Sequence, residues 1–338
     1  MQPSSMIHTL ALVGLGHFGY AWLRHFDRKN DPKLRIRAYD INEKVVESLH
    51  TTRKHPYLHP TISIQSPYIS FEKNKETLMH DCDTLLLSVA SEATRPVMQA
   101  IKPYINQKLM IVNTSKALDA QTGQRLSVVI NEELTGIPYR YALLAGGTIA
   151  EDLFNEQPLG IDLASQQQEL CTTLVPFLQS KNLHVYPTTD LIGVEYASAF
   201  KNVISILAGI VQGAGYAYGT ETYCITQAAA EVEHLVTTYL GGTKKTFQMS
   251  SQCWGNDLWM SCTGETRNKE CGILLGKGMP IDDAIKQMAE QQKMVEGIKT
   301  ISILHTLPHI ETYPLLYFLY KFITQKSVGV EELKKLLQ

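Results

Sequence analysis

The chain has 338 residues, 44% of them apolar and 19% charged, a balance that suits two packed domains and excludes a disordered or fibrous chain. A formal net charge of −2 argues against nucleic acid or an acidic membrane surface as the main partner, because both call for a strongly basic face; any anion site must be local. Neither a leader nor a span is expected. MQPSSMIHTLALVGLG lacks a basic start, a long apolar core and a small-residue cleavage site, which points to the cytoplasm. The stretch Asn202 to Thr220 is uncharged but holds Asn, Gln, Ser and four glycines, so it reads as a core helix with a glycine-rich end and not as stable membrane insertion. Cys82, Cys171, Cys224, Cys253, Cys262 and Cys271 form no C-x-x-C pair. The even spacing of the last three has no His or fourth Cys beside it, so buried thiols and no metal are expected.

From the N-terminus, β-rich runs alternate with helical patterns. TLALVGLG, RIRAYD, DTLLLSV, KLMIVNTS, YALLAG, LGIDLA and NLHVY read as strands, with helices such as NEKVVESLH and ATRPVMQAI between them. This order predicts a Rossmann-type α/β domain, a doubly wound, mostly parallel sheet, over residues 1–188. After Tyr186 the strand pattern stops. Helices of core type fill residues 189–338, so the boundary falls near Pro187, with an all-α C-terminal domain beyond it.

Gly14-Leu15-Gly16-His17-Phe18-Gly19 follows the first apolar run and opens a helix, the context that a dinucleotide-binding G-x-G-x-x-G requires. The first glycine permits a tight turn, the second lets a pyrophosphate approach the backbone, and the third allows strand and helix to pack closely. An ordinary tight turn is the competing reading. Asp40 ends the second strand 21 residues after Gly19, placed to accept hydrogen bonds from an adenosine ribose. That favours NAD, with NADP as the alternative, while a helix cap ahead of NEKVVESL is the plainer role for the same carboxylate. Val89-Ala90-Ser91 and Gly146-Gly147-Thr148-Ile149-Ala150 follow strands, where a doubly wound sheet lines its ligand crevice, and are expected to flank a nicotinamide. Lys116 in NTSKAL stands at the same kind of edge; as an isolated lysine it reads more simply as a solvated loop side chain.

Lys201 is the single charge in the 25 residues between Glu195 and Glu221. At helical spacing it shares a face with Ala197, Ile204 and Ala208, which predicts an ammonium held against packed protein. Such a lysine either trades a proton or stays charged against an anionic ligand, unless its stem carries the charge past the helix end.

GLGHFG, SKAL, GGTIAE, GVEYASAFKNVISILAGI, and NDLWMSCTGETRNKECG followed by MVEG together resemble, in order and spacing, the bacterial NAD(P)-dependent sn-glycerol-3-phosphate dehydrogenases over essentially the whole chain. The resemblance implies that Lys201 is the acid/base on the substrate C2 oxygen with Asp257 beside it. It implies that Lys116, Asn202, Ser261, Arg267 and Asn268 bind dihydroxyacetone phosphate or sn-glycerol 3-phosphate. Gly14, Gly16, His17, Phe18, Gly19, Asp40, Ala90, Lys116, Ala150, Arg267 and Glu296 would contact the cofactor. A cytoplasmic homodimer supplying phospholipid synthesis is the implied setting. The chain departs from the family pattern at Ala90 and Gly147, where prolines are usual, and at Asn256, which puts a side chain beside the acid/base pair with Trp254 and Trp259 nearby. Two alternatives remain: a hydroxy-acid dehydrogenase of the hydroxyisobutyrate or ketopantoate type, and a catalytically weak dinucleotide-binding redox sensor. The Arg267-Asn268 pair in its D-L-x-x-[ST]-C-T setting suits a phosphate and discriminates against the first. Turnover itself discriminates against the second.

Overall fold

The computed structural model describes residues 7–105, 108–291, 293–325 and 328–338, so residues 1–6 of the stretch read for a leader lie outside the described residues. The chain divides into two compact units, one running through Ser115 and resuming at Leu126–Leu191, the other formed by Lys116–Arg125 and Ile192–Gln338. A contiguous division near Pro187 does not anticipate the excursion Lys116–Arg125. It leaves the first unit after the fifth strand and belongs with the helices.

In the first unit the described residues form eight strands: β1 (Thr9–Val13), β2 (Arg35–Tyr39), β3 (Ile69–Phe71), β4 (Thr84–Leu87), β5 (Leu109–Asn113), β6 (Tyr139–Ala145), β7 (Leu159–Ala164) and β8 (Leu183–Thr188). Their order is β3-β2-β1-β4-β5-β6-β7-β8. All neighbours are parallel except β6 and β7, which pair antiparallel through Leu143 and Ala164. The seven β-rich runs of the sequence are all strands. The eighth, β3, is a three-residue edge strand, too short to show a periodicity.

Seven helices accompany the sheet: α1 (His17–Lys29), α2 (Glu43–Thr52), α3 (Lys75–Met79), α4 (Thr94–Ile101), α5 (Leu126–Glu133), α6 (Ala150–Phe154) and α7 (Gln168–Leu178) among the described residues. Leu10 and Leu12 of β1, Ile36 and Ala38 of β2, and Val112 of β5 share one core with Trp22, Leu23 and Phe26 of α1, Leu49 of α2, Phe154 of α6 and Leu174 of α7. The alternate residues Ala11, Leu85 and Ile111 are equally buried. Burial on both faces is why these strands read as continuous apolar runs and not as alternating ones.

The second unit is helical: α8 (Leu191–Gly213), α9 (Tyr218–Leu235), α10 (Asp257–Thr263), α11 (Arg267–Gly276), α12 (Ile281–Glu290), α13 (Glu296–Ser302), α14 (Pro314–Thr324) and α15 (Val330–Leu336). Among the described residues only α8 is long and apolar enough to cross a membrane, and its apolar window is wholly buried inside the protein. Small residues let α11 lie directly on it. A Cβ at Gly209 would stand 2.1 Å from the Lys269 carbonyl oxygen, and one at Gly272 would stand 2.2 Å from that of Ile206. Gly213 and Gly276 repeat the contact one turn further along each helix. A π-helical turn, Gln252–Asn256, runs straight into α10 and brings Asp257 to its first position.

Candidate functional site

The first unit carries a crevice at the C-terminal ends of β1, β2 and β4, where the sheet reverses its winding about β1. Each glycine of the turn has its own reason to be glycine. Gly14 has φ +91° and a Cβ there would meet the Ser88 carbonyl oxygen at 2.2 Å, while one at Gly19 would meet the Gly14 carbonyl oxygen at 1.8 Å. Gly16 is different: a Cβ would meet nothing within 4 Å, because this residue opens onto the crevice. The crevice encloses about 460 Å³ and is lined by Gly14, Gly16, Asp40, Lys75, Ala90 and Val97 among others. An open backbone at the head of a 13-residue helix beside a cavity of this size fits a dinucleotide pyrophosphate.

Asp40 does not cap α2; Asn42 does, its side chain accepting the Lys44 N–H at 3.1 Å. The Asp40 carboxylate instead accepts the Leu15 N–H at 2.6 Å and the Asn42 N–H at 2.8 Å, which fixes it at the crevice wall with lone pairs to spare. His17 and Phe18 form the first turn of α1, and Phe18 packs edge-on against Trp22. Ala150 opens α6 and packs partly against the core; it is not among the residues that line the crevice.

The second unit assembles a charged cluster from three distant parts of the chain. Lys201 is 8% exposed and Asp257 fully buried. The Lys201 ammonium donates to Asp257 Oδ1 and to Ser261 Oγ, each at 2.9 Å, and Lys116 donates to Asp257 Oδ2 at 3.0 Å. Lys201 therefore does not carry its charge past the helix end, and Lys116 is not a solvated loop side chain. Ser261 lies one turn along α10 from Asp257 and faces the same way. Burial alone would raise the Asp257 carboxyl, but the two ammonium groups outweigh it and hold the group below the ordinary carboxylate range. Burial, with repulsion from Lys201, pushes Lys116 below the usual lysine range even though Asp257 and Glu296 oppose the shift.

Around the cluster runs a chain of amides. Asn202 donates to the Lys116 carbonyl at 3.5 Å, Asn268 donates to Asn202 Oδ1 at 2.9 Å, and the Gly297 N–H donates to Asn268 Oδ1 at 3.0 Å. This ties α8, α11 and the Lys116 segment to the start of α13, where Glu296 stands. Arg267 begins α11 beside a hollow of about 530 Å³. Lys269 and Lys293, which also line the hollow, are held by Glu221 and Glu270 at 2.8 and 2.6 Å. Arg267 is the lining cation that has no partner among the described residues. Asn256 turns its side chain back to Gln252 at 2.9 Å, and Trp259 is 65% exposed, so neither enters the cluster.

Sequence reasoning missed Lys75 of α3 and the apolar wall of Pro96 and Val97, which belong to the segment ATRPVMQAI, read only as a helix between strands. It also missed His55, which bonds to the glycine-rich turn from a loop with no motif of its own. Among the described residues no group of three or more His, Cys, Asp or Glu is placed to hold a metal ion.

A doubly wound sheet with this turn at its switch point, in one chain with a helical unit bearing a buried lysine–aspartate–lysine cluster, defines a nicotinamide-dinucleotide-dependent dehydrogenase of two-domain type. Residues 9–171 match the profile of the NAD-dependent glycerol-3-phosphate dehydrogenase N-terminus, and residues 190–333 that of the C-terminus. A glycerol-3-phosphate dehydrogenase [NAD(P)+] of Fusobacterium nucleatum is 32% identical over 290 residues, spanning 86% of this chain and 84% of its own. One from Clostridium botulinum is 28% identical and aligned over 96% of both chains. A crystal structure of glycerol-3-phosphate dehydrogenase from Coxiella burnetii superposes with a TM-score of 0.85, covering 98% of this chain and 99% of its own; at 23% identity it speaks to the fold alone. The chain belongs to the NAD-dependent glycerol-3-phosphate dehydrogenase family, and not to the hydroxyisobutyrate or ketopantoate type.

Proposed function

We propose that the chain interconverts dihydroxyacetone phosphate and sn-glycerol 3-phosphate, with Lys201 as the proton donor and acceptor at the C2 oxygen. The bound dinucleotide supplies or takes up the hydride at C2. The observation that carries the assignment is the valence of Lys201: two of its three N–H donors go to Asp257 and Ser261, and the third has no partner among the described residues. That donor is assigned to the ketone oxygen, which gains charge as hydride arrives and takes the proton. Two ammonium groups and one carboxylate leave the cluster at net +1, the sign that stabilises a developing oxyanion. After Lys201 gives up its proton, Asp257 keeps Lys116 and is never an unpaired buried charge.

Arg267, at the N-terminus of α11 and without a partner among the described residues, is assigned to the substrate phosphate, where its planar donors and the helix dipole act together. Asn202 and Asn268 each keep an amide hydrogen for substrate oxygens. On the cofactor side, Gly14, Gly16, His17, Phe18 and Gly19 are assigned to the pyrophosphate turn, Asp40 to the adenosine ribose, and Ala90, Ala150, Lys116, Arg267 and Glu296 to further cofactor contacts. A carboxylate at Asp40 repels a 2′-phosphate, so NAD is the preferred cofactor. The expected setting is a cytoplasmic homodimer feeding phospholipid synthesis. The test is NADH and NADPH oxidation with dihydroxyacetone phosphate, run beside unphosphorylated dihydroxyacetone. Turnover that depends on the phosphate and is faster with NADH supports the assignment. Equal turnover of both ketones, or none of either, overturns it.

A further inference from the structure

His55 lies in the loop after α2, is 3% exposed, and belongs to no motif that marks the cofactor turn. Its Nδ1 accepts the N–H groups of Tyr57 and Leu58 at 3.2 and 3.0 Å, so that nitrogen carries no hydrogen. The hydrogen of the neutral ring is therefore on Nε2, and it is donated to the Leu15 carbonyl at 3.0 Å. Leu15 sits between the first two glycines of the turn. Its own N–H is held by Asp40 Oδ2 at 2.6 Å, so both peptide planes flanking Leu15 are fixed by side chains.

The second of those planes matters for the ligand. In a trans peptide the carbonyl and the following N–H point in opposite directions, so a Leu15 carbonyl held toward His55 turns the Gly16 N–H the other way. Leu15 is 1% exposed on the core side, whereas Gly16 lines the crevice and has open space beside it. We propose that His55 is a positioning residue for dinucleotide binding: it holds the Leu15 carbonyl so that the Gly16 N–H faces the cofactor pyrophosphate. The inference rests on the dinucleotide assignment of the crevice and adds the residue that sets the turn's donor direction.

Protonation would disable the device, because a hydrogen on Nδ1 would face two N–H groups. Burial opposes that charge, as do His17 and His59. The Leu15 carbonyl and Asp40 favour it, and the net effect leaves His55 below its ordinary value. The rings of Tyr20 and Tyr57 close the site at centroid distances of 4.8 and 6.1 Å.

The test is calorimetric titration of the full chain with NAD⁺, which requires no turnover, together with thermal unfolding of each variant without nucleotide. Wild type that fails to bind NAD⁺ would sink the cofactor assignment itself. With wild-type binding in hand, His55→Ala should weaken NAD⁺ by about tenfold, the upper range for one lost hydrogen bond. His55→Gln, which keeps a donor near Nε2, should regain most of that affinity. Because His55 lies below its ordinary 6.5, wild-type affinity should hold down to that pH and fall below it by more than that of the Gln variant. A folded His55→Ala that binds within about twofold of wild type, a Gln variant no better than Ala, or an equal acid loss in wild type and His55→Gln would each overturn the proposal.

Discussion

The crevice of the first unit and the cluster of the second solve opposite problems with opposite materials. The crevice is built from backbone: Gly16 exposes a peptide edge, Gly14 and Gly19 allow strand and helix to meet, and the wall is largely apolar. Its cluster counterpart is built from charge, with two ammonium groups each within 3.0 Å of one buried carboxylate. A dinucleotide needs a fixed surface that does not change during turnover. Proton transfer needs groups whose charge changes without stranding a partner, and Asp257, shared between two lysines, meets that need. Damage to one region should therefore leave the other's task intact.

The sharpest way to break this contrast is Lys201→Ala. Turnover should fall by roughly 10²–10⁴, the span typical of lost acid/base catalysis, while NADH affinity stays near wild type. A variant retaining more than about a tenth of wild-type kcat, or losing NADH binding in parallel, would dissolve the division of labour. Next in size is Arg267→Lys, which keeps the charge but not the planar donors. It should cost on the order of tenfold or more in kcat/KM with dihydroxyacetone phosphate and far less with dihydroxyacetone. Equal losses on both substrates would move Arg267 from phosphate to cofactor or fold. On the crevice side, kcat/KM should favour NADH over NADPH by about tenfold. Parity between the two cofactors would mean that the Asp40 charge is spent on Leu15 and Asn42 alone.

The smallest effect concerns stability. His25, buried in the first unit with Nε2 2.8 Å from the Leu178 carbonyl, is lowered from 6.5 to about 4, chiefly by burial. The unfolded chain then binds the extra proton between these values. Stability is full above about pH 6.5 and is lost as pH falls toward about 4, by roughly 2–3 kcal/mol. His25→Gln should flatten the fall of Tm between pH 7 and pH 5, and an unchanged slope would assign the acid sensitivity elsewhere. Asp257 behaves differently. Held below 3.8, it contributes stability that is lost only as pH falls through 3.8 and below, so it adds almost no slope between pH 7 and pH 5.

The same contrast explains what a reader of the sequence meets. The glycine-rich turn is local: its residues follow one another, and the strand before and helix after them are visible as periodicity. Lys201 was legible for a related reason, since a lone charge in an apolar helix announces its burial. The partnership of Lys116 with Asp257 spans 141 positions and was not anticipated: the family resemblance put Asp257 beside Lys201 and gave Lys116 to the ligands, and no local pattern links a loop lysine to a helix start. The excursion Lys116–Arg125 was invisible for the same reason. Its return is set by tertiary contacts such as the Arg125–Glu195 ion pair at 2.8 Å. His55 left no trace, since its tautomer is chosen by backbone groups that only the folded loop brings together.

The glycine seam between α8 and α11 makes the second unit a gauge. With carbonyls facing Cα atoms at Gly209, Gly213, Gly272 and Gly276, the seam has little that can rotate or compress, and it fixes how far apart the backbones that carry Lys201 and Arg267 lie. A ligand that must touch both is measured against a fixed length. A methyl group at Gly272 would meet the Ile206 carbonyl oxygen at 2.2 Å and push α11 off α8, and Arg267 stands at the head of that helix.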